Sequence, residues 1–421
     1  MGRTGLWHTK YYPGTALGMA GLGKGFVPIA FGVFLAAFYS VLRRYFDELE
    51  ARWAVTLFCA SPLMLLLAGS FMSHVPLLAW MALAWALALR SMANGRGGWA
   101  AAAGVSVGMG ILTRPLDGCL LGAIMGLALV LDPRFSLPRK LAAAGWGVMG
   151  LAIPTAMVLV QNHFLYGAAW TTGYNFSHSS ANYHVYFGLS EQFPLSRAML
   201  QSGWILAKLN QALLGWPTSF LFIVYAFLAT PTRKSNYVLA LIAIAAYIPY
   251  FLYFYYGFEF EARYTFSTIP FLCAGSALGI RTAMRSRWGR WIPGLLASFY
   301  IYALTYYWPV YLLPRYSSAY EESTPAIHRA AQETKLELPA LVLLPNNGFI
   351  YTSGFIYNDP KLDNPIVYAR DIPGLIPCLI QSFPNRHLYR FVPSERNRYQ
   401  GIFAPVEELE SVTGIRDSTR P

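Results

Sequence analysis

The sequence predicts an α-helical polytopic membrane protein of about ten spans that ends in a small α/β domain outside the membrane. Of its 421 residues, 55% are hydrophobic and 12% are charged, whereas about a quarter of the residues in soluble domains are charged. Eight of the 20 acidic residues precede position 320, and the other twelve follow it. We therefore expect a transmembrane domain over residues 1–313 and a soluble domain over residues 314–421.

Ten apolar segments are candidates for the spans, although several are shorter than the roughly 20 residues that a spanning helix usually needs. Very short connections join two pairs of these segments, which predicts two tight helical hairpins and leaves one re-entrant segment as an alternative. The candidate segments are 26–42, 53–72, 75–90, 99–113, 116–131, 141–160, 213–229, 237–256, 268–281 and 291–313.

Positive charges alternate between the two sets of connections. Fourteen Arg and Lys residues lie in one set, and seven lie in the other set up to residue 290. The richer set is expected in the cytoplasm, because positive residues near spans are retained on that side. The N-terminus, the connections 161–212 and 257–267 and the C-terminal domain then lie outside. The net charge of +12 is thereby explained without nucleic acid.

An external N-terminus with no preceding signal peptide or span is unusual. We therefore expect a first helix to belong upstream of Met1. That helix would restore eleven spans and a cytoplasmic N-terminus.

The long external connection 161–212 mixes aromatic and polar residues. Connections of this length in compact proteins are usually functional or form a subdomain of their own. We expect its aromatic residues to cover a site, and membrane-interface anchoring is the alternative. The residues concerned are Tyr166, Trp170, Tyr174, His178, Tyr183, His184 and Tyr186.

The composition changes after Pro314, where polar and acidic residues become frequent. An amphipathic helix is predicted over residues 319–335, followed by short buried strands at 340–344, 366–368 and 388–391. This pattern is typical of a small α/β domain and contains no catalytic motif.

Arg114 and Asp117 are the only charged residues between Trp99 and Leu131. An isolated charge in the hydrocarbon core costs at least about 2.5 kcal/mol, and Pro115 interrupts a helix because it lacks an N–H. The chain is therefore expected to reach the membrane face here and turn back. The pair is either a structural ion pair or part of a functional site.

Three further clusters are predicted on the same outer face. Lys10 and Tyr11 precede a span, His74 lies in a short turn, and Glu261 and Arg263 lie in a connection between spans. A lone histidine at a helix end is more often a cap or an interfacial residue than a catalyst, and a Glu-x-Glu-x-Arg connection is more often a charge network than a site. Together, the cations suit a phosphate and the acids suit activation of a hydroxyl group.

Four short motifs resemble the polytopic glycosyltransferases of the GT-C class. They are Lys10-Tyr-Tyr-Pro-Gly14, Ser70-Phe-Met-Ser-His74, Leu112-Thr-Arg-Pro115 and Glu261-Ala-Arg-Tyr264. The resemblance extends over roughly residues 5–310 and is greatest to bacterial members related to protein O-mannosyltransferases and the aminoarabinose lipid A transferase. It implies inverting transfer of a sugar from a polyprenyl phosphate. It also implies a catalytic acid in a first external loop, which would precede Met1.

The resemblance and the residue chemistry together predict the site. Asp117 and Glu261 are the candidate catalytic acids, which would orient the arginines or contact sugar hydroxyl groups. The candidate substrate-binding residues, which would stabilise leaving-group charge or line the site, are Lys10, Tyr11, His74, Arg114, Arg263 and Tyr264.

We therefore predict a multi-pass glycosyltransferase of the bacterial inner membrane with an extracytoplasmic C-terminal domain. Its partners would be a polyprenyl-phosphate-sugar donor, an acceptor that is a lipid-linked glycan, lipopolysaccharide or protein, and membrane lipids, with no nucleic acid. No cofactor is assigned, and the sequence does not decide whether the protein uses a divalent metal. One alternative is a transporter or lipid flippase, and another is a catalytically incomplete fragment or scaffold. A proton-coupled transporter is disfavoured, because the predicted spans have almost no charged residue near the middle of the membrane.

Overall fold

The computed structural model describes residues 11–173, 188–191, 193–253, 262–317, 324–346, 350, 352–359, 361–372, 374–395 and 397–406. Its internal contacts divide the chain into two compact units, Met1–Trp308 and Pro309–Pro421. The described part of the first unit is helical, and the second contains a four-stranded sheet. The predicted class, a helical polytopic protein with a small α/β part, is confirmed.

The helices of the first unit follow the apolar segments of the sequence. A π-helical segment, Ala303–Leu312, succeeds the last of them. They are α1 (Gly14–Leu22), α2 (Phe26–Leu42), α3 (Glu48–Cys59), α4 (Pro62–Ala68), α5 (His74–Asn94), α6 (Gly97–Thr113), α7 (Pro115–Leu131), α8 (Leu137–Tyr166), α9 (Leu195–Ala212), α10 (Leu221–Ala229), α11 (Lys234–Phe251), α12 (Ile269–Met284) and α13 (Ile292–Tyr302).

Several helix ends are set by identifiable residues. α3 begins with a capping box in which the Asp47 carboxylate accepts from the Glu50 amide at 2.7 Å. Pro115 occupies the first turn of α7, where its missing N–H costs nothing. α5 and α8 end at Gly95 and Gly167, whose φ angles of 71° and 87° are those that glycine adopts without strain.

Four stretches of helix in the described residues are long and apolar enough to cross a membrane: Gly14–Leu42, His74–Asn94, Leu137–Tyr166 and Lys234–Phe251. The bent pair α3 and α4, with an angle of 63°, would make a fifth. The apolar helices α6, α7 and α12 have 16 or 17 residues, hence about 25 Å, against a hydrocarbon core of about 30 Å. The number of ten spans therefore stays a prediction.

Close packing between α6 and α8 depends on small residues. A Cβ atom on Gly104 would lie 1.9 Å from the carbonyl oxygen of Gly147. A Cβ atom on Gly150 would lie 2.0 Å from that of Ala101. Small residues allow such backbone approach in helical membrane proteins, so these glycines fix the helix that leads to Arg114 against its neighbour.

At the connection between α10 and α11, an ion pair joins distant parts of the first unit. Arg233 donates through Nη2 to both carboxylate oxygens of Glu50 at 2.9 and 3.0 Å. Glu50 is 4% exposed. Because an unpaired buried carboxylate is costly, this pair holds the start of α11 against α3.

The prediction that residues 161–212 form a long loop is wrong at both ends of this range, where the chain is helical. α8 continues to Tyr166, and Leu195–Ala212 forms the amphipathic helix α9. Its buried residues recur at helical spacing, and it is tied to α11 by a Tyr247–Ser202 hydrogen bond of 2.8 Å. Tyr174, His178, Tyr183, His184 and Tyr186 lie outside the described residues, so their covering role stays a prediction.

The predicted span 213–229 also differs. Only Leu221–Ala229 is helical as α10. Gly215, with a φ angle of 68°, and Pro217 precede it and interrupt the apolar run.

The second unit contains a four-stranded sheet of order β2-β1-β3-β4. The central strand β1 is parallel to β2 and β3, and β4 is antiparallel to β3. Three strands coincide with the predicted ones, whereas β4 was not predicted, because five residues between turns carry little signal. The elements are α14 (Leu313–Ser317), α15 (Ala326–Glu333), β1 (Ala340–Pro345), α16 (Thr352–Phe355), β2 (Ile366–Asp371), α17 (Ile376–Ser382), β3 (His387–Pro393) and β4 (Gly401–Pro405).

Candidate active site

Arg114 lies at the single-residue junction between α6 and α7. Its backbone is extended, with φ −149° and ψ 97°. Its N–H still donates to the Gly110 carbonyl and its carbonyl accepts from the Gly118 N–H, both at 2.8 Å. The helix break predicted at Pro115 is confirmed, and the junction leaves no backbone polar group of Arg114 unpaired.

The carboxylate of Asp117 accepts hydrogen bonds on both oxygens. Arg114 Nε donates to Oδ2 at 2.7 Å, and the Tyr250 hydroxyl donates to Oδ1 at 2.5 Å. Asp117 is 2% exposed and Tyr250 is 3% exposed. Asp117 therefore belongs to a buried network that spans α7 and α11, and it also lies in the first turn of α7, where a negative charge is favourable.

The other two nitrogens of the Arg114 guanidinium make longer contacts. Nη1 is 3.4 Å from both Ser73 Oγ and His74 Nε2, and Nη2 is 3.4 Å from the Tyr250 hydroxyl. Hydrogen bonds of this type usually measure 2.7–3.2 Å. The side chain of Arg114 is 21% exposed, against 3% for that of Asp117. Among the described residues, Nη1 and Nη2 therefore have only these long contacts.

His74 begins α5 and is 4% exposed. Its ring contacts Phe266 edge to face at 4.7 Å between centroids, and Phe266 also lies 5.1 Å from Cζ of Arg114. Because a guanidinium only donates hydrogen bonds, His74 Nε2, which faces Arg114, must be the acceptor. In a neutral His74 the proton is therefore assigned to Nδ1. Nδ1 has no hydrogen-bond partner among the described residues.

A second arginine joins the site through tyrosine rings. Arg263 lies in the 3₁₀ turn Arg263–Thr265 before α12, with its guanidinium 4.9 Å from the Tyr264 ring centroid and 3.2 Å from the Tyr264 hydroxyl. Tyr264 in turn packs against Tyr250 and Tyr253 at 5.6 and 6.0 Å between centroids. Arg114 and Arg263 are therefore connected through the contact between Tyr250 and Tyr264.

Most of the predicted site residues converge. His74, Arg114, Asp117, Arg263 and Tyr264 belong to this network. Tyr11 is 59% exposed and lies within electrostatic range of Tyr264, Arg263 and Arg114. The remaining two predicted residues, Lys10 and Glu261, lie outside the described residues.

Tyr250 and Phe266 were not predicted as site residues, and Ser73 was included only as part of the motif Ser70–His74. Tyr250 is one of many aromatic residues at the end of an apolar run, and its position after Pro249 carries no chemical signal of its own. Its role depends on the packing of α11 against α7, which a local pattern does not reveal. In the described part of the chain, no three His, Cys, Asp or Glu residues cluster as metal ligands.

Two comparisons with known proteins find similarities. Residues 25–160, which include His74, Arg114 and Asp117, match the family model of dolichyl-phosphate-mannose-protein mannosyltransferase. The crystal structure of ArnT from Cupriavidus metallidurans in the apo state matches with a TM-score of 0.57 at 16% identity, covering 92% of this chain and 83% of that one. No curated protein matches the chain by sequence.

The chain therefore has the same fold as ArnT, and part of it, residues 25–160, matches one mannosyltransferase family model. The structure of the same ArnT bound to undecaprenyl phosphate matches with a TM-score of 0.55 at 15% identity, covering 92% of this chain and 84% of that one.

Proposed function

We propose that the chain transfers a sugar from a polyprenyl-phosphate-linked donor to an acceptor at the outer face of a bacterial inner membrane. The observation that carries this proposal is the guanidinium of Arg114. Asp117 holds it through Nε, and its Nη1–Nη2 edge makes only long contacts with the described residues. Two parallel N–H groups on one edge match two oxygens of a phosphate. The acceptor would be a lipid-linked glycan, lipopolysaccharide or protein.

Leaving-group charge is the main electrostatic demand of this reaction. As the bond between the anomeric carbon and the phosphate breaks, negative charge develops on the phosphate oxygens. Preorganised cations in a water-poor site stabilise such charge more strongly than water does. Arg114 is positioned for this role, and Arg263 contacts the Tyr264 ring, which packs against Tyr250 beside Arg114. We assign both arginines to the donor phosphate, and Lys10 is proposed to join them.

The remaining residues are assigned from their surroundings. Tyr11 and Tyr264 present aromatic and hydroxyl groups that suit a sugar or the first isoprenoid unit. His74 would accept from Arg114 and so orient its Nη1. Because both oxygens of Asp117 already accept hydrogen bonds, we propose that Asp117 holds Arg114 and does not act as a general base. Glu261 is retained as the candidate acid for activating the acceptor.

The comparisons support the donor class. The matching family is described by a dolichyl-phosphate-mannose donor, and the matching ArnT was solved with undecaprenyl phosphate. Dolichyl-phosphate-mannose and undecaprenyl phosphate share a phosphate on an isoprenoid chain. The isoprenoid chain differs between them, and only the first carries a sugar. We therefore propose the phosphate and its isoprenoid chain as the feature that this site recognises, with the sugar open.

A binding experiment tests the proposal. The full chain in lipid nanodiscs is titrated with undecaprenyl phosphate and with undecaprenol, which lacks the phosphate. We expect the phosphate to bind and to raise the melting temperature, undecaprenol to do so far less, and Arg114→Ala to weaken phosphate binding by about ten- to a hundredfold. Arg134→Ala is the matched control, because Arg134 also pairs with an aspartate, Asp132, outside the site.

Turnover separates the proposal from its alternatives. Undecaprenyl-phosphate-linked sugars are supplied to the chain in proteoliposomes with membrane extract as acceptor, and release of undecaprenyl phosphate is measured. Arg114-dependent release supports the proposal. Movement of the labelled lipid between leaflets without release would support a flippase and overturn it, and binding without release or movement would support a non-catalytic scaffold.

A further inference from the structure

Tyr250 is the residue of this network that no sequence motif indicates. It lies near the end of α11, is 3% exposed, and reaches across to α7. Its hydroxyl donates to Asp117 Oδ1 at 2.5 Å and lies 3.4 Å from Arg114 Nη2. One hydroxyl group thus contacts both members of the ion pair.

The direction of these hydrogen bonds follows from the groups involved. An ionised carboxylate only accepts and a guanidinium only donates, so the Tyr250 proton points to Asp117 and its lone pairs face Arg114. The carboxylate then has one donor on each oxygen, Tyr250 on Oδ1 and Arg114 Nε on Oδ2. Asp117 is satisfied without the Nη nitrogens of Arg114.

Loss of that hydroxyl would change which nitrogens Asp117 uses. Oδ1 would remain buried without a donor, which costs more than a hydrogen bond contributes on average. Nη2 of Arg114 is the donor nearest to Oδ1 of Asp117. An arginine and a carboxylate readily form a bidentate pair, here through Nε and Nη2. In that arrangement Nη2 is occupied by Asp117 and is lost to a ligand on the Nη1–Nη2 edge.

We propose that Tyr250 is a positioning residue that confines Asp117 to the Nε side of Arg114 and thereby reserves the Nη1–Nη2 edge for the donor phosphate. The inference rests on the proposed function, because it assumes that this edge receives a phosphate. It assigns to Tyr250 a part in ligand selectivity without contact with the reacting atoms.

The decisive variant is Tyr250→Phe, which removes the hydroxyl and keeps the ring that packs on Tyr264. Its matched control is Tyr247→Phe, one turn earlier on α11, because the Tyr247 hydroxyl donates to Ser202 Oγ at 2.8 Å and not to the ion pair. Each variant loses one hydroxyl group from the same helix, a fully buried one at Tyr250 and a partly buried one at Tyr247. Dissociation constants for undecaprenyl phosphate and undecaprenol are measured for each in nanodiscs.

We expect Tyr250→Phe to weaken binding of undecaprenyl phosphate about tenfold, to leave binding of undecaprenol within twofold, and Tyr247→Phe to change neither by more than twofold. In an Asp117→Asn background, Tyr250→Phe should weaken phosphate binding less than twofold, because the neutral amide does not compete for Nη2 as a carboxylate does. A purely structural tyrosine would not produce this dependence on the charge at position 117.

Each failure has its own signature. If Arg114→Ala abolishes phosphate binding while Tyr250→Phe binds like the wild type, the positioning role is wrong and the proposed function stands. If Tyr250→Phe weakens the phosphate and the alcohol equally, or equally in both backgrounds at position 117, its role is packing and the inference fails. If Arg114→Ala itself binds undecaprenyl phosphate normally, the proposed function fails first.

Discussion

Nε of Arg114 donates to Oδ2 of Asp117 at 2.7 Å, three residues further along the chain and one turn into the next helix. Nη1 of the same guanidinium lies 3.4 Å from Ser73 Oγ and His74 Nε2. The ion pair therefore neutralises a buried carboxylate and holds the guanidinium of Arg114 in place.

The first prediction concerns the paired donors of Arg114. Arg114→Lys keeps the charge and loses the parallel N–H groups, so the rate of sugar transfer should fall by about one to two orders of magnitude, corresponding to about 1.5–3 kcal/mol. Arg114→Ala should lower it further. Transfer is measured with an undecaprenyl-phosphate-linked sugar, alongside the amount of folded protein in the membrane. Wild-type transfer in Arg114→Ala would refute the role in phosphate binding.

A second prediction separates a holding role of Asp117 from a general base. Asp117→Asn can still accept from Arg114 Nε, so a holding residue should lose roughly tenfold in transfer rate, with an unchanged dependence of the rate on pH. A general base should lose far more, about a hundredfold or above, together with the acid limb of the pH–rate profile. The profile from pH 5 to 9 is the measurement, with Asp132→Asn as the control outside the site.

The third prediction concerns packing between α6 and α8. Gly104→Ala would bring its Cβ to within 1.9 Å of the Gly147 carbonyl oxygen, so the helices must separate and the melting temperature in detergent should fall by several degrees. Gly98→Ala is the control on the same helix, because no atom lies within 4 Å of its Cβ position. Alanine there should be neutral or slightly stabilising. Equal melting temperatures for the two variants would contradict the packing described for Gly104.

Acid stability provides a fourth prediction. Hydrogen bonds from Arg134, the largest influence, hold the pKa of Asp132 below its usual value of about 4. A lowered folded pKa contributes stability that is fully present above the unfolded value and is lost as the pH falls through the folded value. The difference in melting temperature between wild type and Asp132→Asn should therefore be largest near neutral pH and shrink below about pH 4. A constant difference down to pH 3 would argue against this linkage.

The fifth prediction concerns orientation in the membrane. Fourteen positive charges on one set of connections against seven on the other predict that Lys234 lies in the cytoplasm and the C-terminal unit outside. Single cysteines at the exposed positions Lys234 and Glu337, in a background without the four native cysteines, should react with an impermeant maleimide from opposite sides of the membrane. Labelling of both from the same side would overturn the orientation.

The sequence alone predicted the positions of most helices and of the helix break at Pro115. Apolar runs bounded by charges located most of the helices of the first unit, and the increase in acidic residues after position 320 predicted a separate soluble part. Pro115 between two apolar segments located the junction that carries Arg114. These features are encoded by neighbours in the chain, because helix formation and helix termination depend on residues a few positions apart.

Tertiary structure decided which residues act together. Tyr250 is 133 residues from Asp117 in sequence and within hydrogen-bonding distance in space, and only the packing of α11 beside α7 brings them together. The same holds for His74 beside Arg114 and for Ser202 of α9, whose hydroxyl accepts from Tyr247 of α11. An amphipathic stretch or a tyrosine has many partners available to it in principle. The choice among them is made by the close packing of helices, which a sequence pattern of short range does not contain.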